Sequence, residues 1–231
     1  MQIPTHSKLA AEAFGTFCLV FAGTAAIVVD ATVGGGGAVS HVGVGLTFGL
    51  VVFAMIAALG DISGAHINPA VTIGFWIARR FPSRLVAPYI LSQLAGAILA
   101  SLAVRLLFPN DTTLGGTAPA GPVYQSWVLE VLLTAALMFV ILSVSAGAKE
   151  KGITVGLAIG AVVGLEALFA GPVSGASMNP ARSLAPALVS GELAFVWIYI
   201  SAPVVGAALA VLLCCMVRPH DCCGSLCTEK A

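Results

Sequence analysis

Six blocks of this chain are apolar enough, and long enough, to cross a bilayer, which takes about 20 mostly apolar residues. They run over about residues 9–29, 42–59, 85–108, 123–146, 153–170 and 193–217. Polar or flexible stretches separate them. Val33 begins a run of four glycines, and Arg79, Arg80 and Arg84 form a basic turn. Residues 109–122 are rich in Pro, Gly, Thr and Asp, which predicts an exposed central loop. Lys149, Glu150 and Lys151 make a polar turn, and residues 218–231 form a polar tail. Two further apolar runs, 70–78 and 181–189, are too short to span and predict half-helices. The expected fold is therefore an all-α membrane protein in one domain, residues 1–231.

Each short run follows the same octapeptide pattern. Ser63 to Ala70 reads SGAHINPA, Ser174 to Ala181 reads SGASMNPA, and six of the eight positions agree. Asn is a favoured helix N-cap, and Pro suits the first helical position because it has no N–H to leave unpaired. Asn68-Pro69-Ala70 and Asn179-Pro180-Ala181 are thus two matched helix starts. The repetition goes further. Glu12 and Thr16 match Glu130 and Thr134, and Gly96 matches Gly206. Each half, about 7–108 and 123–217, reads span, span, half-helix, span. Three spans is an odd number, so the second half starts on the other side of the membrane and the halves are inverted.

Composition agrees. Of 231 residues, 59% are hydrophobic and 9% charged, against about 25% charged in soluble domains; mean hydropathy is +1.04. The 26 glycines suit close helix packing in a bilayer. Net charge is zero and no basic stripe carries interleaved aromatics, so nothing points to nucleic acid. Lys8 before an apolar run resembles a signal peptide, but Glu12 interrupts it and five more spans follow, so a retained first helix is expected. Lys8, the arginine turn, Lys149, Lys151, Arg218 and Lys230 fall on one side of six alternating helices. That side, with both termini, is expected to be cytoplasmic in a multi-pass cell-membrane protein. Arg105 and Arg182 depart from this rule.

Half-helices entering from opposite faces meet N-terminus to N-terminus. Each end carries roughly +0.5 elementary charge, which disfavours cations there. The Asn68 and Asn179 amides can donate to a passing oxygen. The irregular backbone before each box is tolerated in a bilayer only where it is buried in protein or lines a wet cavity. The carbonyls of Gly64, Ala65, His66, Gly175 and Ser177 are candidates for pore lining. Glu12 and Glu130 are intramembrane acids, functional by default; a structural role is favoured, accepting the free N–H groups of the Asn-Pro loops. Glu166 has no partner in the first half and either supports the second loop or places a polar group near the selectivity filter.

Two Asn-Pro-Ala boxes between six spans, the second followed by Arg182, resemble the aquaporin or major intrinsic protein family. The resemblance covers Ala11-Glu12 to about Gly206. It implies a homotetramer with one pore per subunit, passing water and small uncharged solutes and excluding protons and ions. It also implies an outer filter of four residues: Phe48, Ala167, Ala176 and Arg182. Here the chain departs from the water-selective pattern, which has His in the fifth span. A Phe/Ala/Ala/Arg filter is wider and less polar than a strict water filter. Ser183 and Ala187 look like water channels. Tyr199-Ile200 and the run FAGPVSGASMNPARSLAP are closer to the nodulin-like intrinsic proteins and their bacterial relatives. Those pass glycerol, metalloid hydroxides such as arsenous acid, and some water.

The alternative is an ion-coupled secondary transporter, which can also use inverted repeats. No nucleophile–base constellation suggests an enzyme, and no cofactor or metal is expected. Cys214, Cys215, Cys222, Cys223 and Cys227 crowd the C-terminus; three readings stay open: idle thiols, acylation of Cys214 and Cys215, or binding of a thiophilic metal or arsenite by Cys222, Cys223 and Cys227 with His220, without a strong zinc spacing. Asn110-Asp111-Thr112 is a lone glycosylation sequon. His41 and His220 are expected at the surface. If the filter is assigned correctly, Ala167→His with Ala176→Thr narrows it. Flux of glycerol or arsenous acid then falls more than that of water in a vesicle uptake assay, and equal loss of all fluxes contradicts the assignment.

Overall fold

The computed structural model of the chain describes residues 3–145 and 153–218. The Lys149 to Lys151 turn and the tail with Cys222, Cys223 and Cys227 lie outside the described residues. The helices are α1 (Thr5–Thr32), α2 (Ser40–Ser63), α3 (Pro69–Ile77), α4 (Ser83–Leu107), α5 (Val123–Val144), α6 (Ile153–Ser174), α7 (Pro180–Ser190) and α8 (Val196–Val217). Six of them are long and apolar enough to cross a membrane, and α3 and α7 are the two short helices expected after the Asn-Pro boxes.

α1, α2 and α6 outrun the apolar blocks that predicted them. α2 continues past 59 through Gly60 and Asp61, and α6 continues past 170 through Pro172. Glycine sets where they stop. Gly64 and Gly175 take φ of +88° and +86°, and their N–H groups close onto Gly60 O and Gly171 O at 3.1 and 2.9 Å. Pro172 cannot donate to the carbonyl four residues back, which leaves Leu168 O free. His41, at the start of α2, donates to it from Nε2 at 2.6 Å. This histidine is exposed, as expected, yet it also repairs the proline break.

α1 packs on α4 and α2, α5 packs on α8 and α6, and α2 against α6 joins the halves. The matched glycines explain the closest crossings. A Cβ at Gly96 would overlap the Ala13 carbonyl oxygen, and one at Gly206 would overlap that of Val131. Ala13 and Val131 directly follow Glu12 and Glu130, so each glycine sits where a helix presents its acid. Gly49 and Gly160 bring α2 and α6 together in the same way, with Cβ positions 2.7 and 2.5 Å from each other's carbonyl oxygens.

The usual soluble pattern is reversed. Leu106, Met216 and Leu91 face outward, while Glu12, Thr16, Gln93, Ser101, Glu130 and Thr134 are fully buried. A bilayer asks for apolar groups outside and polar groups paired within; Ser101 Oγ departs from this, being buried without a partner. On the face where α1 starts, Arg80 donates to Leu142 O at 3.1 Å and to Ser145 O, and Arg218 donates to Ser143 O at 2.6 Å. Both cations thus meet the carbonyl end of α5, where the helix dipole is negative.

The outer connections are more ordered than expected. Asp30 Oδ1 accepts the N–H groups of Val39 and Ser40 at 3.0 and 2.6 Å and so caps α2 after the glycine run. The α4–α5 connection is not wholly exposed, because Leu114 and Gly115 within it are buried. Local composition reported its polarity; it could not report that one leucine turns inward.

Gly96→Ala and Gly206→Ala are each expected to cost about 1–3 kcal/mol, as overpacking against backbone does. The check is the thermal unfolding midpoint of the detergent-purified chain, with Gly60→Ala, a helical glycine whose Cβ would meet only the Ile56 side chain at 3.9 Å, as the control for the loss of a glycine away from any close helix crossing.

Candidate functional site

Two irregular loops, Gly64 to Ile67 and Gly175 to Met178, end at the paired caps. In each, the residues three and one before the asparagine are left-handed. Ala65 and Ile67 have φ of 45° and 44°, Ala176 and Met178 of 41° and 53°. Non-glycine residues adopt this region at a cost of about 1–2 kcal/mol each, so surrounding bonds must hold them there. Those bonds come from the matched acids. Glu12 Oε1 accepts from Ser63 Oγ and His66 N at 2.7 and 2.9 Å, and Oε2 accepts from Ile67 N at 2.7 Å. Glu130 Oε1 accepts from Ser174 Oγ and Ser177 N at 2.7 and 2.9 Å, and Oε2 accepts from Met178 N at 2.8 Å.

The halves then differ. Gln93 donates to Glu12 Oε2 at 2.8 Å and to Thr72 Oγ1 at 2.9 Å. Counted back from the matched glycines, the corresponding residue of α8 is Pro203, which has no such donor. Thr72 donates to Asn68 O at 3.1 Å, so His66 must donate to Thr72 from Nδ1, at 3.1 Å. The His66 ring stacks on Phe75 at 4.8 Å. Tyr89 and Tyr199 anchor the starts of the two loops by donating to Ser63 O and Ser174 O at 3.0 and 2.7 Å. Both tyrosines stand at the same spacing ahead of Gly96 and Gly206, a repeat signal that would have found them in the sequence.

The two loops meet through their asparagines. Asn68 Oδ1 caps α3 by accepting from Ala70 N at 2.8 Å; Asn179 Oδ1 caps α7 by accepting from Ala181 N at 3.0 Å. Across the junction, Asn68 Nδ2 donates to Met178 O at 2.8 Å and Asn179 Nδ2 donates to Ile67 O at 3.0 Å. An amide nitrogen has two N–H bonds, so each asparagine keeps one beyond this cross-pairing. Both residues line a cavity of about 100 Å³.

The cavity lining runs from Ser145, Phe75 and Val155 at the α1-start face to Phe48, Ala176 and Arg182 beyond Asn179. Leu137, Ile141, Ile159 and Val163 form an apolar wall, and Gly64, Ala65, His66 and Ser177 contribute the opposite, polar strip. Gly175 and Ala167 lie outside this lining. Gly175 backs onto Thr117, and Ala167 is buried one turn beyond Val163. Arg182 is 1% exposed; its NH1 donates to Gly115 O at 3.0 Å, and its Cζ lies 5.1 Å from the Phe48 ring centroid. Its Nε and NH2 atoms have no protein partner. Glu166 does not hold the second loop, whose N–H groups go to Glu130, Ser174 Oγ and Gly171 O; it is buried, and its Oε2 is unpartnered. Sequence reasoning missed Gln93, Thr72 and Gly115, whose roles come from distant contacts rather than from any local pattern.

A major intrinsic protein family model matches residues 2–214. Aquaporin NIP1-1 of Zea mays is 48% identical over 208 residues, covering 90% of this chain and 73% of that protein. Nodulin-26 of Glycine max is 45% identical over 222 residues, covering 96% and 81%. The X-ray structure of the aquaglyceroporin from Plasmodium falciparum superposes with a TM-score of 0.83 at 25% identity, covering 91% of this chain and 95% of that one.

Glu12→Gln and Glu130→Gln are each expected to destabilise the protein despite near-identical shape. An amide places a donor where backbone N–H groups already point, and each buried donor left unpaired costs about 1–3 kcal/mol. Glu12→Gln is expected to be the worse, because Gln93 also donates there. Unfolding midpoints of the purified variants check both the loss and the order.

Proposed function

The chain belongs to the major intrinsic protein family, the aquaporins, with nodulin-like members among its near relatives, and from that premise we propose how its pore selects. The family makes it a multi-pass membrane channel for water and small solutes rather than an enzyme. The proposed substrates are water, glycerol and metalloid hydroxides such as arsenous acid, all uncharged. The proposed assembly is a homotetramer in the cell membrane with both termini cytoplasmic, which rests on family membership and on the basic residues at the α1-start face.

One observation carries the reading. Two helix N-termini, capped by Asn68 and Asn179, oppose each other on a cavity that has one apolar wall facing a polar strip. A neutral oxygen can accept from the spare asparagine N–H and move on, since the apolar wall offers no competing bond. A cation, hydronium included, meets two positive dipole ends of roughly half a charge each. Arg182 adds a full positive charge with Nε and NH2 unpaired, which suits hydroxyl oxygens and repels cations. Phe48, Ala176 and Arg182, which line the cavity, and Ala167, set back from it, are the proposed filter; the two alanines leave room for solutes larger than water. Glu12 and Glu130 are bound to backbone and side-chain donors on both oxygens, which removes them from any coupled ion path.

Proteoliposomes carrying the purified chain are expected to pass water, glycerol and arsenous acid down their gradients with no ion gradient present. Stopped-flow light scattering reads water and glycerol, and arsenic content reads the third; urea completes the panel. Uptake that requires an ion gradient, without passive flux, would overturn the proposal.

A further inference from the structure

The α4–α5 connection makes a tight turn that the polarity of its sequence did not foretell. Asp111 builds it. Its Oδ1 accepts from Leu114 N at 2.6 Å, Thr113 N at 3.0 Å and Thr113 Oγ1 at 3.1 Å. Arg105, in the last turn of α4, donates to Asp111 O at 2.7 Å. Leu114 is left-handed, with φ of 52°, a strained state for a leucine. It is held by complete burial between Val28 of α1 and Val104 of α4, a small apolar cluster apart from the main core.

This seat delivers the next residue. Gly115 packs on α1 so closely that a Cβ would lie 2.6 Å from Thr24 O. Its own carbonyl accepts from Arg182 NH1 at 3.0 Å. Further along, Thr117 Oγ1 donates to Ser183 Oγ at 2.7 Å and Ala120 N to Val173 O at 3.0 Å, so the connection is also tied to α7 and α6. A guanidinium is a planar fork of five donors. Anchoring NH1 on one fixed carbonyl sets the direction in which NH2 and Nε face the passage.

We propose that Asp111 and Leu114 are specificity-determining residues that act through the Gly115 carbonyl, holding the Arg182 guanidinium back against the outer connection. This rests on the passive-channel reading. Without that anchor the guanidinium swings across the passage, and the larger solute is excluded first.

The test reconstitutes the full chain and compares glycerol with water permeability, or the largest solute the wild-type chain passes. Losing an anchor bond of about 0.5–1.5 kcal/mol should lower the glycerol-to-water ratio roughly 2- to 10-fold in Asp111→Ala and Leu114→Ala. Asp111→Asn keeps the accepting oxygen and should stay near wild type, as should Thr112→Ala, an exposed neighbour. In an Arg182→Val background, Asp111→Ala should shift the ratio no further. An unchanged ratio in Asp111→Ala, an equal loss in Asp111→Asn, or a further shift without Arg182 would each overturn the proposal. If Asp111→Ala does not fold, Arg105→Ala loosens the same turn and must lower the ratio, with an unchanged ratio overturning the idea. A wild-type chain that passes no solute passively overturns the channel reading and this proposal together. Normal wild-type flux with unaltered variants overturns the anchor alone.

Discussion

Two fully buried carboxylates, Glu12 and Glu130, accept the backbone N–H groups of two loops that have no business in a bilayer as bare chain. Hydrocarbon offers no partner to an open N–H, and irregular backbone survives at that depth only when protein or water satisfies it. Each acid meets this demand for the N–H groups on one side of its loop. Two of the loop carbonyls, Ile67 O and Met178 O, accept from the asparagine of the opposite loop. The left-handed residues at Ala65, Ile67, Ala176 and Met178 follow from the same clamping. So does the placement of Asn68 and Asn179, each one residue past a clamped N–H.

The helices exist to bring those acids to those loops. Gly96 and Gly206 let α4 and α8 approach the backbone beside each glutamate, and Tyr89 and Tyr199 on the same two helices hold the loop entrances. The repeat is not perfect. Glu12 receives a fourth donor from Gln93, whereas α8 carries Pro203 at the corresponding place. The first loop is therefore tied to α4 through side chains, and the second to the outer connection through Ser183 and Thr117. In the proposed reading this asymmetry separates two tasks along one passage: the centre acts on charge through opposed helix ends, and the outer constriction acts on size and polarity through Phe48, Arg182 and small side chains around them.

Much of this could be read from the residues alone, for identifiable reasons. Span length, the Asn-Pro start signal, the odd number of spans per half and the matched Glu-x-x-x-Thr and Gly positions are local or repetitive. Such features need no knowledge of what lies across the fold. The role expected for Glu12 and Glu130 was reachable because an intramembrane acid beside unpaired N–H groups has few other uses. Glu166 illustrates the limit. Its sequence setting left two readings open, and the pairing of the second loop with Glu130 excludes direct support of that loop.

Six spans, two opposed half-helices, their inversion and the residues that cap them were legible in the residue order, because each follows from apolar length, capping chemistry and repetition. Which donor meets which acceptor was settled in the folded chain alone. Folding seated Leu114 in a pocket between α1 and α4, turned the Gly115 carbonyl onto Arg182, gave Leu168 O to His41, and crossed the Asn68 and Asn179 amides onto each other's loops. Those pairings join residues far apart in the chain. They depend on backbone angles and helix crossings that no local pattern of apolar and polar residues encodes.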